Sequence, residues 1–368
     1  MNVARRQFLR AGSAIAAISM LPKAAALAEG GFIPRPGLWR RFEVLTRVEV
    51  QNPRGATQAW IPVPSLNAPA WFGAEDSEWS TNAETAALVR DAKYGAEMLH
   101  VAWADGEKAP IVEIVSRIST QDRSIDFSKP GGAAALPEAE RTLYTQGTAL
   151  IPVDGLVKET SDRIVAGLET DLDKARAIYE WVVDNTFRDG KVRGCGRGDV
   201  SAMLALNNFS GKCADLNALY VGLARAAGLP ARDVYGIRVA ASKFGYQSLG
   251  AKSEIITKAQ HCRAEVFLTD FGWVPVDPAD VRKVVLEEPP GNLPLDHAKV
   301  IAARRALFGA WEGNWLAYNA AHDVALPGAS GPQLGFLMYP QAETASGRLD
   351  CLEPDAFKYT ITSRELNA

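Results

Sequence analysis

Cys213 lies where a loop, "NNFSGK" (207–212), gives way to a segment with apolar residues at helical spacing that ends at Gly228. At the start of a helix, the free amides and the partial positive charge favour a thiolate over a thiol. This is one requirement for a cysteine nucleophile, and a base within reach is the other. Free cysteines are also among the most buried residue types, so the position alone leaves a structural role open.

His261 is the candidate base, because it opens the alternating stretch "HCRAEVFL". The alternation predicts a strand that directs His261 into a polar site and Cys262 into the core. Asp277 closes the next strand-like segment, "GWVPVDP", on a face where it can accept the second N–H of His261. Alternation does not set the register of two strands to one residue. A Cys-His-Asp triad is therefore predicted without its detailed geometry.

These blocks resemble the transglutaminase-like superfamily of papain-type thiol enzymes. The similar features are a Cys at a helix start, an "RAAGLPAR" turn into a strand, a His-x-x-x-Glu strand and a Trp-x-x-x-Asp-Pro strand, all between about residues 155 and 285. The resemblance implies Cys213 as nucleophile, His261 as base and Asp277 as the orienting group. It also implies an α+β fold in which the nucleophile helix packs on an antiparallel sheet, preceded by a β domain.

Four further residues are secondary candidates. Lys212 and Arg263 stand where many members of the family carry an acidic and an aromatic residue, and we interpret both as substrate-binding. The charge of Lys212 would also lower the pKa of Cys213. An oxyanion hole needs a donor besides the Cys213 amide, and Asn207 or Asn208 could supply it. Loop asparagines also serve as turn formers, so that alternative stays open.

The remaining cysteines are Cys195, Cys262 and Cys351. Outside the cytoplasm disulfides can form, and three cysteines leave room for at most one. Their spacing does not select which two would pair. The chain has no CxxC pair and four histidines, which gives a structural zinc site little support. A zinc site from Cys213, His261 and Cys262 is a remote alternative. We predict no metal and no cofactor.

Residues 1–28 have the parts of a twin-arginine export signal. Arg5 and Arg6 begin it, a mildly apolar stretch follows at 11–22, and Ala26 to Ala28 form a small-x-small cleavage site. The apolar stretch is short and rich in Ala, Gly and Ser, which makes a poor membrane span. We expect a periplasmic or secreted protein without stable membrane insertion once the signal is removed.

Composition narrows the class of partner. The chain is 47% apolar and 23% charged, as in globular proteins, with a formal net charge of −3. Removal of residues 1–28 takes away four basic residues and no acid, so the mature chain is more acidic. This argues against nucleic acid or an anionic membrane surface as the partner. The expected partner is a peptide or protein substrate.

Periodicity changes along the chain and predicts its organisation. Period-two segments predict strands up to about residue 120, "KPGGAAALP" reads as a linker, and helical spacing follows. Residues 296–319 are predicted to be helical, and "FKYTITS" (357–363) to be a strand. The predicted parts after the signal are an N-terminal β domain (29–128), a linker (129–150), a catalytic core (151–295) and a C-terminal extension packing on the core (296–368).

The predicted reaction begins with attack of the Cys213 thiolate on an amide or peptide carbonyl, which gives an acyl-enzyme. Water as the second acceptor gives a peptidase or amidase, and an amine gives a transglutaminase. The triad chemistry is the same up to the acyl-enzyme, so the residues leave both open, and export from a bacterium favours hydrolysis. The alternative is a catalytically inactive binding or scaffold protein that retains the fold.

Overall fold

The computed structural model of the protein describes residues 31–366, so the predicted export signal at 1–28 lies outside the described residues. The helices are α1 (Glu138–Thr145), α2 (Gly155–Val165), α3 (Asp171–Asn185), α4 (Val200–Ala205), α5 (Cys213–Ala226), α6 (Pro278–Glu287), α7 (Ala298–Ala306) and α8 (Pro354–Phe357). The strands are β1 (Arg40–Glu49), β2 (Thr57–Pro62), β3 (Phe72–Ala74), β4 (Glu78–Thr81), β5 (Thr85–Arg90), β6 (Glu97–Trp103), β7 (Ile111–Thr120), β8 (Arg123–Ser124), β9 (Phe187–Arg188), β10 (Ser210–Gly211), β11 (Ala231–Arg238), β12 (Gln260–Leu268), β13 (Gly272–Val276), β14 (Ala310–Trp311), β15 (Trp315–Asn319), β16 (His322–Val324), β17 (Leu334–Phe336), β18 (Gln341–Thr344), β19 (Gly347–Arg348) and β20 (Tyr359–Leu366). Among the described residues, no helix combines the length and the apolar composition needed to cross a lipid bilayer.

The helix α5 is the centre of the core. It is rich in Ala and Leu, which favour helix, and it is followed by Gly228 at φ +85°, a conformation that suits a helix stop. All of its residues are buried, because α2, α3 and α6 pack around it and β11 and β12 cover its remaining side. The sheet has the order β13-β12-β11-β15 with antiparallel neighbours. The predicted α+β fold, with the nucleophile helix on an antiparallel sheet, is confirmed.

Two further sheets contain the N-terminal strands. Apolar residues of β1 such as Phe42, Val44 and Val48 alternate with partly exposed ones, so one face of that strand packs in the core. One sheet has the order β20-β1-β7-β3, with β4 also on β7, and the other has the order β19-β18-β2-β6-β5. Strands from the end of the chain thus pair with strands from its beginning. The predicted boundaries at 128, 150 and 295 stay predictions, and the pairing crosses them.

The helical prediction for residues 296–319 is wrong beyond Ala306. The helix α7 ends there, and Gly309 follows at φ +114°. Gly313 lies so close to another loop that a Cβ on it would be 2.5 Å from the backbone carbon of Gln121. Trp311 and Trp315 lie in β14 and β15, both 1% exposed. Pairing of β15 with β11 and burial of the aromatic rings prevail over the helical spacing.

Candidate active site

Cys213 is the first residue of α5 and is 4% exposed. Asp215, two residues later, accepts three backbone N–H groups that hold the surrounding loops in place. They belong to Lys212 (2.9 Å), Arg197 (2.9 Å) and Gly198 (3.0 Å). Gly196 permits this close approach, because its φ is +93° and a Cβ on it would lie 1.8 Å from Oδ2 of Asp215. The sequence-based prediction missed Asp215.

The first two backbone N–H groups of α5 differ in whether they have a hydrogen-bond acceptor. The N–H of Ala214 donates to the carbonyl oxygen of Cys195 at 2.8 Å, which joins the preceding loop to the helix. Among residues 31–366, no group accepts the N–H of Cys213. That N–H can therefore donate to an oxygen that gains negative charge beside the Cys213 sulfur.

Three thiols lie together around this position. Burial acts to raise the pKa of Cys213, but hydrogen bonds with Cys195, Cys262 and His261 hold it well below its usual value. The hydrogen bond with Cys213, together with burial, raises the pKa of Cys195 well above its usual value. Burial and the contact with Cys213 do the same for Cys262. These shifts favour Cys213 as the member of the cluster that loses its proton, and none of the four cysteines is in a disulfide.

His261, in β12, is 3% exposed, and its Nε2 lies 2.8 Å from Oδ2 of Asp277. The same nitrogen lies 3.4 Å from Oδ2 of a second carboxylate, Asp280. Burial and Arg238 act to lower the pKa of His261, but the two carboxylates outweigh them and raise it to about 9. With Nε2 bound to Asp277, Nδ1 is the ring nitrogen left for the Cys213 sulfur. The lowered pKa of Cys213 and the raised pKa of His261 both favour a thiolate beside an imidazolium.

Asp277 follows β13 and is the N-cap of α6. Its Oδ2 binds His261, while its Oδ1 accepts the N–H of Asp280 at 3.0 Å and Nδ2 of Asn217 at 3.2 Å. Burial and Asp280 act to raise the pKa of Asp277, with His261 acting in the opposite direction. Asn217 also donates to the carbonyl oxygen of Cys262 at 2.8 Å. This amide ties the nucleophile helix to the residues that hold His261 in place.

Asp280 and Asn217 also escaped the sequence-based prediction. Burial acts to raise the pKa of Asp280, but Arg238 and His261 hold it well below its usual value. The run Asp-Pro-Ala-Asp from Asp277 to Asp280 has a cap residue, Pro at the first helical position and an acid in the first turn, which is typical of a helix start. Asn217 comes four residues after Cys213, on the same side of a helix. The sequence shows the spacing of Asp280 from Asp277 and of Asn217 from Cys213. It does not show that both side chains are buried beside the candidate triad, which is what gives them contacts there.

His261, Asp277 and Asp280 are grouped closely enough that they could hold a metal ion. Their polar atoms already have protein partners. Both oxygens of Asp280 accept from Arg238, and both oxygens of Asp277 accept from His261, Asn217 or a backbone N–H. The donor set therefore fits a hydrogen-bonded ion-pair network better than a metal site.

The other predicted site residues have different positions. Lys212 borders the cleft above Cys213, whereas Asn207 and Asn208 do not line it. Asn207 has a φ of +48° and the Oδ1 of Asn208 accepts from the N–H and hydroxyl of Ser210, so both serve a turn. Arg263 is buried outside the cleft lining, with its guanidinium 4.7 Å from the ring centre of Trp315. The structure does not place these asparagines or Arg263 in the lining of the cleft.

The cleft above Cys213 and His261 has a volume of about 490 Å³. We call it the Cys213 cleft, and its walls come from residues 188–195, 250–261, 283–287 and 339–359. A cleft of this size suits a short peptide segment or a small acyl group. Cys213 and His261 are both among the residues that line it.

The fold and this cluster define a papain-type α+β protein with a cysteine at the start of its central helix. Residues 158–278 match the Transglutaminase-like superfamily. The chain belongs to that superfamily, which confirms the resemblance seen in its sequence.

One relative is an uncharacterised protein of Haemophilus influenzae, 35% identical over 329 residues that cover 85% of this chain and 87% of the relative. Among solved structures, a candidate cysteine protease from Cytophaga hutchinsonii is 14% identical, with 90% of this chain and 100% of that chain covered and a TM-score of 0.49. The periplasmic domain of TgpA from Pseudomonas aeruginosa is 14% identical, with 70% and 91% covered and a TM-score of 0.35.

Proposed function

We propose that the protein is a cysteine-dependent enzyme that cleaves an amide or peptide bond through an acyl-enzyme. The supporting observation is the buried chain of contacts from Cys213 to His261 to Asp277, with Cys213 at a helix start and in the lining of a cleft. A thiolate with lowered pKa beside an imidazolium with raised pKa is the state that such an enzyme needs before substrate binds.

In the first half of the proposed reaction, the Cys213 thiolate attacks the carbonyl carbon and a C–S bond forms. The carbonyl oxygen gains a negative charge, which the N–H of Cys213 stabilises. The imidazolium of His261 then gives its Nδ1 proton to the leaving nitrogen, the C–N bond breaks and the amine departs. Asp277 holds the ring in orientation throughout and stabilises its positive charge.

In the second half, neutral His261 takes a proton from water, and the resulting hydroxide attacks the thioester. The C–S bond breaks, the acid is released, and the thiolate and imidazolium are restored. An amine in place of water would give a new amide and a transglutaminase. We propose hydrolysis, with the periplasm as the location on the strength of the twin-arginine pattern in residues 1–28.

Thiol reactivity tests the proposal without knowledge of the substrate. Wild-type protein is treated with iodoacetamide near neutral pH, and labelling is quantified at each cysteine by mass spectrometry of its peptides. We expect Cys213 to react faster than Cys351, a half-buried thiol whose pKa is raised by burial. We also expect His261→Ala to slow the labelling of Cys213. Equal labelling of the two cysteines, or a Cys213 rate that His261→Ala leaves unchanged, would contradict the enzyme proposal and favour the scaffold alternative.

Turnover is then measured with a peptide mixture, comparing wild type with Cys213→Ala. Release of new carboxyl and amino termini indicates hydrolysis, and incorporation of a labelled primary amine indicates transfer. Activity that survives in Cys213→Ala would show that Cys213 is not the nucleophile.

A further inference from the structure

The lining of the Cys213 cleft is strongly basic, although the chain as a whole has a formal net charge of −3. Among the described residues that line it, Glu287 is the single acid, and the basic side chains are Arg188, Lys212, Arg238, Lys252, Lys258 and Lys283. The composition of the protein does not predict such a surface. It is a local feature of the site that would hold the substrate.

The acids of the neighbourhood balance only some of these charges. Arg238 is paired with the buried Asp280 beneath the cleft, and Lys258 lies 3.4 Å from the exposed Asp355. Two cations compete for Glu287. Arg188 binds it directly, whereas Lys283 lies 3.8 Å from it.

Two lysines at the cleft have no acidic partner at all within the part of the chain that the structure describes: Lys212 and Lys252. Lys212 directly precedes Cys213 in the chain and lines the same cleft. Lys252 lines the cleft from another segment of the chain, the one before β12. A substrate in the cleft would therefore meet two cations that have no acidic partner among the described residues.

Lys283 shows how crowded the positive charge is. Its pKa is lowered to about 8, first by burial and then by the nearby charges of Arg238 and Arg188. The other lining residues include apolar ones, among them Leu352, Pro354 and Ile255. A cleft with low-dielectric walls and one sign of charge concentrates its field on a ligand of the opposite sign.

Resting on the proposed function, we propose that the substrate is an acidic peptide, with a carboxylate side chain or carboxyl terminus next to the amide that Cys213 attacks. Carboxylates are the anions that unmodified peptides carry, and the cleft accommodates a short peptide segment. Lys212 and Lys252 bind the carboxylates as point charges, and the apolar wall contacts the adjoining aliphatic chain. These lysines determine specificity and take no part in the transfer of the acyl group.

Peptide binding to Cys213→Ala protein tests this, because binding needs no turnover. Three labelled peptides of equal length carry Glu, Gln or Lys on both sides of a central amide, and a fourth carries phosphoserine. Fluorescence anisotropy at low salt gives each dissociation constant. We expect the Glu peptide to bind about tenfold more tightly than the Gln peptide, the Lys peptide to bind most weakly, and added salt to narrow the differences.

The same measurement is made after adding Lys212→Gln and Lys252→Gln to the Cys213→Ala protein, and after adding a control change, Lys158→Gln, at an exposed lysine of α2 that is not part of the cleft lining. The preference for Glu should fall in the double variant and persist in the control. Equal binding of the Glu, Gln and Lys peptides would overturn the proposal, as would a preference that the double variant retains. Binding of the phosphoserine peptide alone would replace the carboxylate by a phosphate.

The two proposals fail separately. An unreactive Cys213 with a retained preference for acidic peptides removes the enzyme and keeps the anion site. A reactive Cys213 without a preference for acidic peptides keeps the enzyme proposal and removes the anion site.

Discussion

The guanidinium of Arg238 binds both carboxylate oxygens of Asp280, at 2.6 and 2.8 Å, and the two side chains are almost completely buried. This pair places a second negative charge beside Nε2 of His261, in addition to that of Asp277. Arg238 compensates the buried carboxylate of Asp280, although its own charge acts to lower the pKa of His261 while Asp280 acts to raise it.

Removal of one partner of this pair should be costly. We expect Asp280→Asn to lower the free energy of unfolding by about 3 to 5 kcal/mol, because Arg238 is left buried without its counter-charge. Urea unfolding checks this. The pKa of His261, followed by NMR, should fall because one of the two acids that raise it is gone. Replacement of both partners, as Arg238→Met with Asp280→Leu, should recover much of the stability, and the pKa of His261 should fall less than in Asp280→Asn, because the charge of Arg238 that lowers it is removed as well. Full stability in Asp280→Asn would contradict the role of the pair.

Asp277→Asn should separate catalysis from stability. Asparagine still accepts the N–H of residue 280, so the cap of α6 is kept, and His261, unlike Arg238, can lose its proton; the unfolding free energy should therefore fall less than in Asp280→Asn. The amide carries no charge to stabilise the imidazolium, and we expect kcat to fall by about 10² to 10⁴. Steady-state kinetics on the substrate found by peptide profiling gives kcat, and iodoacetamide labelling of Cys213 gives an independent rate. A variant with unchanged kcat and labelling would remove Asp277 from the mechanism.

The pH profile of kcat/KM should be bell-shaped. Activity is lost at low pH as the Cys213 thiolate takes up a proton, and the lowered pKa of that thiol places this limb below the usual range for cysteine. Activity is lost at high pH as His261 gives up its proton, in a limb near pH 9. Alkylation of Cys213 across the same range should follow the low-pH limb alone. A low-pH limb at the ordinary thiol pKa would contradict the ion pair.

Hydrogen bonding within the thiol cluster predicts an effect of Cys195 on the nucleophile. In Cys195→Ala the thiolate of Cys213 loses one hydrogen bond, so the pKa of Cys213 should rise. The pH dependence of iodoacetamide labelling measures the shift. Cys351→Ala is the matched control, because it also removes a free thiol but one that is absent from the cleft lining. An equal response to both changes would exclude a specific contribution from Cys195.

Gly196 should tolerate no side chain. In Gly196→Ala, the new Cβ would meet the Asp215 carboxylate that holds the Cys213 loops. Gly106→Ala is a control with a similar φ, +89° against +93°, but with open space around it. We expect the control to lose about 1 to 2 kcal/mol through backbone strain and Gly196→Ala to lose about 1 to 3 kcal/mol more. Urea unfolding compares the two, and slower labelling of Cys213 should accompany the larger loss. Equal losses would show that Asp215 can move aside.

Local spacing was enough to predict much of the core. The helix from Cys213, the strand with His261 and the strand that ends before Asp277 all follow from neighbours in sequence, and the structure has each of them. The superfamily and the fold class, which the resemblance of these sequence blocks implied, were also predicted correctly. Where local and long-range preferences disagreed, as at Trp311 and Trp315, pairing with a distant strand prevailed and the helical prediction failed.

The sequence alone determined which residues could form a nucleophile, a base and an orienting acid, because helix starts and strand alternation depend on residues a few positions apart. Only the tertiary structure decided which charges share the site. In the fold, Asp280 and Arg238 lie near His261. Arg263, Asn207 and Asn208 lie outside the cleft lining, and lysines from separate segments of the chain line the cleft together with Cys213. Burial and charge compensation are properties of contacts between distant parts of the chain. For Lys212, the basic residue next to the nucleophile, the fold thus supplies a context that its neighbours in sequence do not: it is one of several cations facing a single cleft.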